Sequence, residues 1–133
     1  MTLNNSGNNP LSEVRRYYDR NLTPFLRQSG GVMHRALWAP GVAGRPAALR
    51  WIDAELTRRL ASLPAGALVG DLGCGVGATA RWLCRNTALN LISVTISPRQ
   101  AQEGQRRTAA AGPLSDRCGR LPQPLGIGGQ SQL

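Results

Sequence analysis

Apolar residues recur with a helical period from Pro46 to Leu63, where Leu49, Ile52, Leu56, Leu60 and Leu63 follow one another at three- and four-residue steps. Asp53, Glu55, Arg58 and Arg59 fall off that stripe and are expected to be surface charges. Pro64-Ala65-Gly66 stops the helix. Ala67–Leu72 is then a short apolar run carrying Asp71, predicted as a buried strand, and Gly73, Gly75 and Gly77 make a turn free of side chains. Ala78–Asn86 reads as a helix with Ala80, Leu83 and Cys84 inward, and Leu89–Ile96 alternates as a half-buried strand. Ser97-Pro98-Arg99-Gln100 is a capping box opening a helix through Ala111, with Gly112 as its stop. Strand, helix, strand, helix at this spacing predicts crossover connections and a parallel sheet, an α/β architecture.

The flanks are patterned more weakly. Ser12 can cap a helix through Arg20 whose apolar side is Val14, Tyr17 and Tyr18, and Thr23-Pro24 reads as a second helix start ended by Gly30-Gly31. Val32–Val42, with His34, Leu37 and Trp38, reads as a loop. Residues 1–11 are expected to be a disordered tail. Residues 119–133 hold four glycines, two prolines and no acid, and are likewise expected to be disordered.

A glycine turn between strand and helix is a place for a nucleotide-like ligand, with Asp71 as a fixed negative charge beside it. A dinucleotide fingerprint needs Gly-x-Gly-x-x-Gly and an acid about 20 residues on for the ribose. Here the third glycine comes one residue early, and no Asp or Glu stands between Asp71 and Glu103. A phosphate-binding loop needs a lysine, and the chain contains none.

Asp71-Leu-Gly-Cys-Gly-Val-Gly77 resembles the first motif of class I S-adenosylmethionine-dependent methyltransferases. Leu91-Ile-Ser-Val-Thr-Ile-Ser-Pro-Arg-Gln100 is similar to the second strand of the branch with tocopherol-type, sterol and cyclopropane-forming enzymes, where a Thr-hydrophobic-Ser-x-x-Gln string replaces the ribose acid. Tyr17-Tyr18-Asp19 and Met33–Trp38 resemble the segments that fold over the cofactor in that branch. The resemblance implies an incomplete Rossmann-like fold: a helical lid over 12–45 and a partial cofactor domain over 46–118. It implies S-adenosyl-L-methionine as cofactor, with Asp71, Gly73, Cys74, Gly75 and Gly77 at its amino-acid half. Thr95 and Gln100 are implied beside its ribose, Ile96 as a further cofactor-binding residue, and Tyr17 and His34 as lining residues. It stops after Cys118, where the expected third strand and its acid give way to the Gly- and Pro-rich tail. That break implies a C-terminal truncation by frameshift and an inactive fragment.

The net charge of +9 raises a nucleic-acid reading, but the arginines are spread in pairs along predicted helices, without interleaved aromatics or a recognisable module. Three cysteines without Cys-x-x-Cys spacing and a lone histidine argue against a disulfide framework or a metal site. No apolar run reaches the roughly 20 residues of a membrane span, and the polar, uncharged first ten residues show no leader, so a cytoplasmic location is expected. The reading is therefore methyl transfer to a small molecule of lipid, isoprenoid or phenolic type, with no catalytic residue assigned and no partner protein evident. A non-catalytic cofactor-binding fragment and a basic nucleic-acid-binding protein are its rivals.

Overall fold

The computed structural model of the protein describes residues 9–32, 34–112 and 123–124. The expectations for residues 1–8, for Met33 and for nearly all of 113–133 lie outside them.

A parallel sheet carries the fold. Its first strand, β1 (Leu68–Leu72), pairs with β2 (Asn90–Thr95) in the register Val69↔Leu91, Asp71↔Ser93. Between them runs α3 (Ala78–Asn86), as the sequence predicts. Ala80, Leu83 and Cys84 of α3 pack on Leu91, and Leu56, Leu60 and Val69 close around them. Along β2 the alternation holds: Leu91, Ser93 and Thr95 are buried beneath the helices. β1 departs from the buried strand expected of it, because Leu68 and Leu72 are 66 % and 82 % exposed. Parallel sheets are normally covered on both faces. Here the helices cover the face of Val69 and Asp71, and the face of Leu68 and Leu72 is open among the described residues.

Gln123–Pro124, inside the stretch expected to form no strand, adds a third strand, β3, parallel to the other edge of β2. Proline restricts the residue before it to extended backbone, and the free edge of β2 offers unpaired N–H and C=O groups, so even two residues can dock. Pro124 suits an edge strand, where a missing N–H costs little.

The long predicted helix is α2 (Gly44–Leu60), shorter at its C-terminal end than the periodicity suggests, with Leu63 exposed. Upstream, the two helices expected from Ser12 and Thr23 are one, α1 (Pro10–Ser29), capped by the Asn9 side chain on the Leu11 N–H and ended by Gly30 in the left-handed region. Pro24 sits inside it. A mid-helix proline leaves the carbonyl four residues earlier without a donor. Here that carbonyl belongs to Arg20, an exposed residue on a solvent-facing helix, where water can serve it.

Ser97 caps α4 (Pro98–Ala109) by accepting from the Gln100 N–H at 3.0 Å, as predicted. The return half of the capping box is absent: Gln100 Oε1 accepts from Thr95 Oγ1 at 2.8 Å, and the Ser97 N–H turns to Thr95 Oγ1 at 3.3 Å. The Ser97 hydroxyl also donates to Asp19 Oδ1, and Arg99 donates to the Asp19 carbonyl at 2.7 Å, so α1 is pinned to the start of α4. Ser97→Ala is expected to cost about 1–2 kcal/mol, a lost cap plus the lost tie. Urea unfolding measures this, and a change below about 0.5 kcal/mol would show the tie contributes nothing.

No helix among the described residues is long and apolar enough to cross a membrane.

Candidate functional site

Beneath α1 and the loop that follows it, a cleft of about 1130 Å³ opens over the C-terminal ends of β1 and β2. That is where open α/β sheets receive ligands. Nine of the ten residues singled out from sequence line it: Asp71, Gly73, Cys74 and Gly75 at the turn, Thr95, Ile96 and Gln100 after β2, and Tyr17 and His34 from above.

Gly77 does not line it. Its φ of 72° makes it the left-handed entry to α3, buried under the turn, with its N–H donating to the Cys74 carbonyl at 2.8 Å. Gly73 and Gly75 also have positive φ, 82° and 57°, so the turn is written by residues without Cβ. The sequence suggests bare N–H groups for a ligand, and the structure changes that picture. The N–H groups of Gly73 and Cys74 both donate to the Val94 carbonyl at 2.9 Å, locking the turn onto β2. What Gly73 offers is space: a Cβ there would meet nothing within 4 Å.

Asp71 is the electrostatic centre of the cleft. Its Oδ2 is buried and takes no hydrogen bond. Burial, and then the charge of Asp53, hold its carboxyl above the usual carboxylate range. The Cys74 thiol is pushed up to about 12 by burial and then by Asp71, so it stays protonated and is no nucleophile at neutral pH.

Thr95 and Gln100 are both buried and bonded to each other. The Thr95 hydroxyl hydrogen is committed, so Thr95 orients Gln100 rather than offering its own donor.

The residue that sequence reading misplaced is Asp53. Predicted at the surface, it is fully buried on α2. It accepts from Thr79 Oγ1 at 2.7 Å and from Arg50 Nη1 at 2.9 Å, and His34 Nε2 lies 3.6 Å away. Both Thr79 and His34 line the cleft, so Asp53 ties α2, α3 and the loop into its wall. Asp19, which the sequence singles out only as part of the Tyr17-Tyr18-Asp19 segment, anchors α1 to the start of α4.

No protein-family model matches the chain. It is 39 % identical over 49 residues to the 2-methyl-6-phytyl-1,4-hydroquinone methyltransferase of Synechocystis sp., a match covering 37 % of this chain and 15 % of that protein. It is 33 % identical over 110 residues to the protein described as a probable chloroplastic tocopherol O-methyltransferase in Oryza sativa subsp. japonica, covering 75 % of this chain and 30 % of that one. Among solved structures it superimposes on the cyclase SpnF with a TM-score of 0.69 at 27 % identity, over 84 % of this chain and 41 % of the other. The chain thus spans less than a third of the length of those curated relatives.

Proposed function

We propose, for a chain that belongs through its N-terminal portion to the class I S-adenosylmethionine-dependent methyltransferases, that the cleft over the glycine turn holds S-adenosylmethionine for methyl transfer to a small molecule. The observation that carries this reading is Asp71 Oδ2, buried in the cleft without a partner. An unpaired buried carboxylate oxygen is costly, and a cationic amine removes the cost by supplying both charge and donors. The amino-acid half of the cofactor carries such an amine.

The remaining lining fits the same ligand. Gly73 leaves the backbone open to close approach. Gln100, oriented by Thr95, puts a neutral amide at the end of β2, where a ribose would need hydrogen-bonding groups rather than a charge. Tyr17, Phe25, Val32 and His34 wall the cleft on the α1 side. When bound, the cofactor supplies an electrophilic methyl group on a sulfonium. The chain's own part is binding and alignment, which account for most of the rate in such transfers. A phenolic or isoprenoid acceptor is supported by the two relatives, named for a phytyl hydroquinone and for tocopherol. The solved neighbour SpnF is a cyclase, so fold alone does not set the reaction.

Calorimetric titration of the full chain with S-adenosylmethionine tests the reading. Saturable one-to-one binding is expected, and a folded chain that takes up no cofactor would overturn it. Binding without methylation of any phenolic or isoprenoid acceptor would favour the non-catalytic cofactor-binding reading instead.

A further inference from the structure

Two buried polar groups are neighbours on the sheet, and neither has a hydrogen-bond partner among the described residues. Ser93 of β2 is 1 % exposed, and its Oγ is unbonded. Its register partner on β1 is Asp71, whose Oδ2 is unbonded as well. Register partners on adjacent parallel strands project to the same face, and the strands lie about 4.8 Å apart. Two short side chains can meet across that spacing, directly or through one water. Ser93 does not line the cleft that Asp71 lines, so its hydroxyl approaches the carboxylate from the protein side.

A buried hydroxyl left without a partner is costly, and its hydrogen rotates to suit whatever acceptor is near. An ionised carboxylate only accepts, so between these two groups the hydroxyl is the donor. The other titratable groups around Asp71 are Asp53 of α2, which carries Arg50, Cys74 of the turn, His34 of the loop, and Tyr17 and Tyr18 of α1. Arg35 and Arg45 are the cations across the cleft. None of these donates to Asp71 Oδ2. Ser93 is thus the neutral donor that the sheet itself sets beside the carboxylate.

We infer that Ser93 is a positioning residue: its hydroxyl donates to the ionised Asp71 carboxylate, favours that charged form and holds it for a cationic amine. The inference rests on the cofactor reading above, so its test includes a readout that needs no cofactor.

Affinity for S-adenosylmethionine and stability to denaturant are measured against pH for the full chain, for Ser93→Ala, for Asp71→Asn and for the double variant. A hydrogen bond to the charged form lowers a carboxyl's pKa, so losing it moves the titration of Asp71 up. In Ser93→Ala, affinity on the rising limb is expected to fall roughly tenfold, while the plateau at high pH stays within about twofold. In the unbound chain, the fall of stability with pH should extend to higher pH in Ser93→Ala than in the native sequence. In the Asp71→Asn background, Ser93→Ala should move neither profile, which separates Asp71 from any titration of His34.

Unchanged profiles in a Ser93→Ala chain that binds the cofactor overturn the inference and leave the cofactor reading standing. A plateau lowered as much as the limb, or an equal effect in the Asp71→Asn background, overturns it too, because Ser93 then only packs. No uptake of cofactor by the native sequence overturns the cofactor reading and with it the positioning role, even where the stability profile still moves with Ser93.

Discussion

Asp71→Asn is expected to weaken S-adenosylmethionine binding by roughly tenfold to a hundredfold, the loss of about 1.5–3 kcal/mol that accompanies a hydrogen bond to a charged partner. The same substitution should leave the unbound protein as stable as before or more so. Burial and the neighbouring Asp53 raise the carboxyl's pKa in the folded state, so ionisation of Asp71 opposes folding. The sign follows from linkage: stability falls as pH rises from the unfolded value of 3.8 to the higher folded one, and the penalty stays constant above that. Asparagine removes this dependence. A cationic ligand reverses it, so cofactor affinity in the unaltered chain should rise with pH through the titration of Asp71, and the asparagine variant should bind with a flat profile. Calorimetry across that range, with denaturant unfolding alongside, reads both effects. A variant that loses stability and affinity together would mean Asp71 holds the turn rather than the ligand.

How much of this was legible in the sequence depended on how local the cause was. The stretch from β1 through α4 was read nearly to the residue because its signals are short-range: glycines at Gly73, Gly75 and Gly77 with positive φ, an alternation in β2 that matches burial, and a Ser97-Pro98 start. The same chemistry was present at the first helix and was read at the wrong place. Asn9-Pro10 is a cap followed by proline at the first helical position, the signal that was credited to Thr23-Pro24 instead. Periodicity could not separate the two, since α1 buries only Leu22 among its residues and water can satisfy the carbonyl that Pro24 leaves behind.

Partners fixed by the fold were the harder part. The sequence places Thr95 and Gln100 beside a ribose as neutral hydrogen-bonding groups, and says nothing of the bond between them that commits the Thr95 hydroxyl hydrogen. Gly77 belonged to the motif by spacing yet serves the backbone beneath the cleft. Leu68 and Leu72 look like core on any hydropathy scale, and only the placement of the helices on one face of the sheet explains their exposure. Asp53 is the extreme instance. With Arg50 three residues before it and Glu55 two after, it has the appearance of a solvated helix face, and nothing within α2 announces that Thr79 will reach it from 26 residues away.

Asp53→Ala is accordingly the stability variant with the largest expected effect, about 3–5 kcal/mol, the cost of breaking a buried charged network by removing one member. The carboxylate is fully buried and accepts from Thr79 Oγ1 and Arg50 Nη1, with the His34 ring 3.6 Å away, so its deletion leaves the Thr79 hydroxyl and the Arg50 guanidinium without that partner on two helices at once. Against a total stability of about 5–15 kcal/mol, such a loss leaves a marginal fold. Asp53→Asn separates the hydrogen bond from the charge. Its carbonyl can still accept from Thr79, while Arg50 loses its counter-ion, so an intermediate cost of about 1–3 kcal/mol is expected. Asparagine also removes the charge that helps raise the Asp71 carboxyl, so the pH at which cofactor affinity rises should move down in that variant. Denaturant midpoints for both variants, and the pH profile of cofactor binding for Asp53→Asn, give the answer. If alanine costs under about 0.5 kcal/mol, the network is incidental; if asparagine destabilises but leaves the pH profile in place, Asp53 braces the wall of the cleft without tuning its charge.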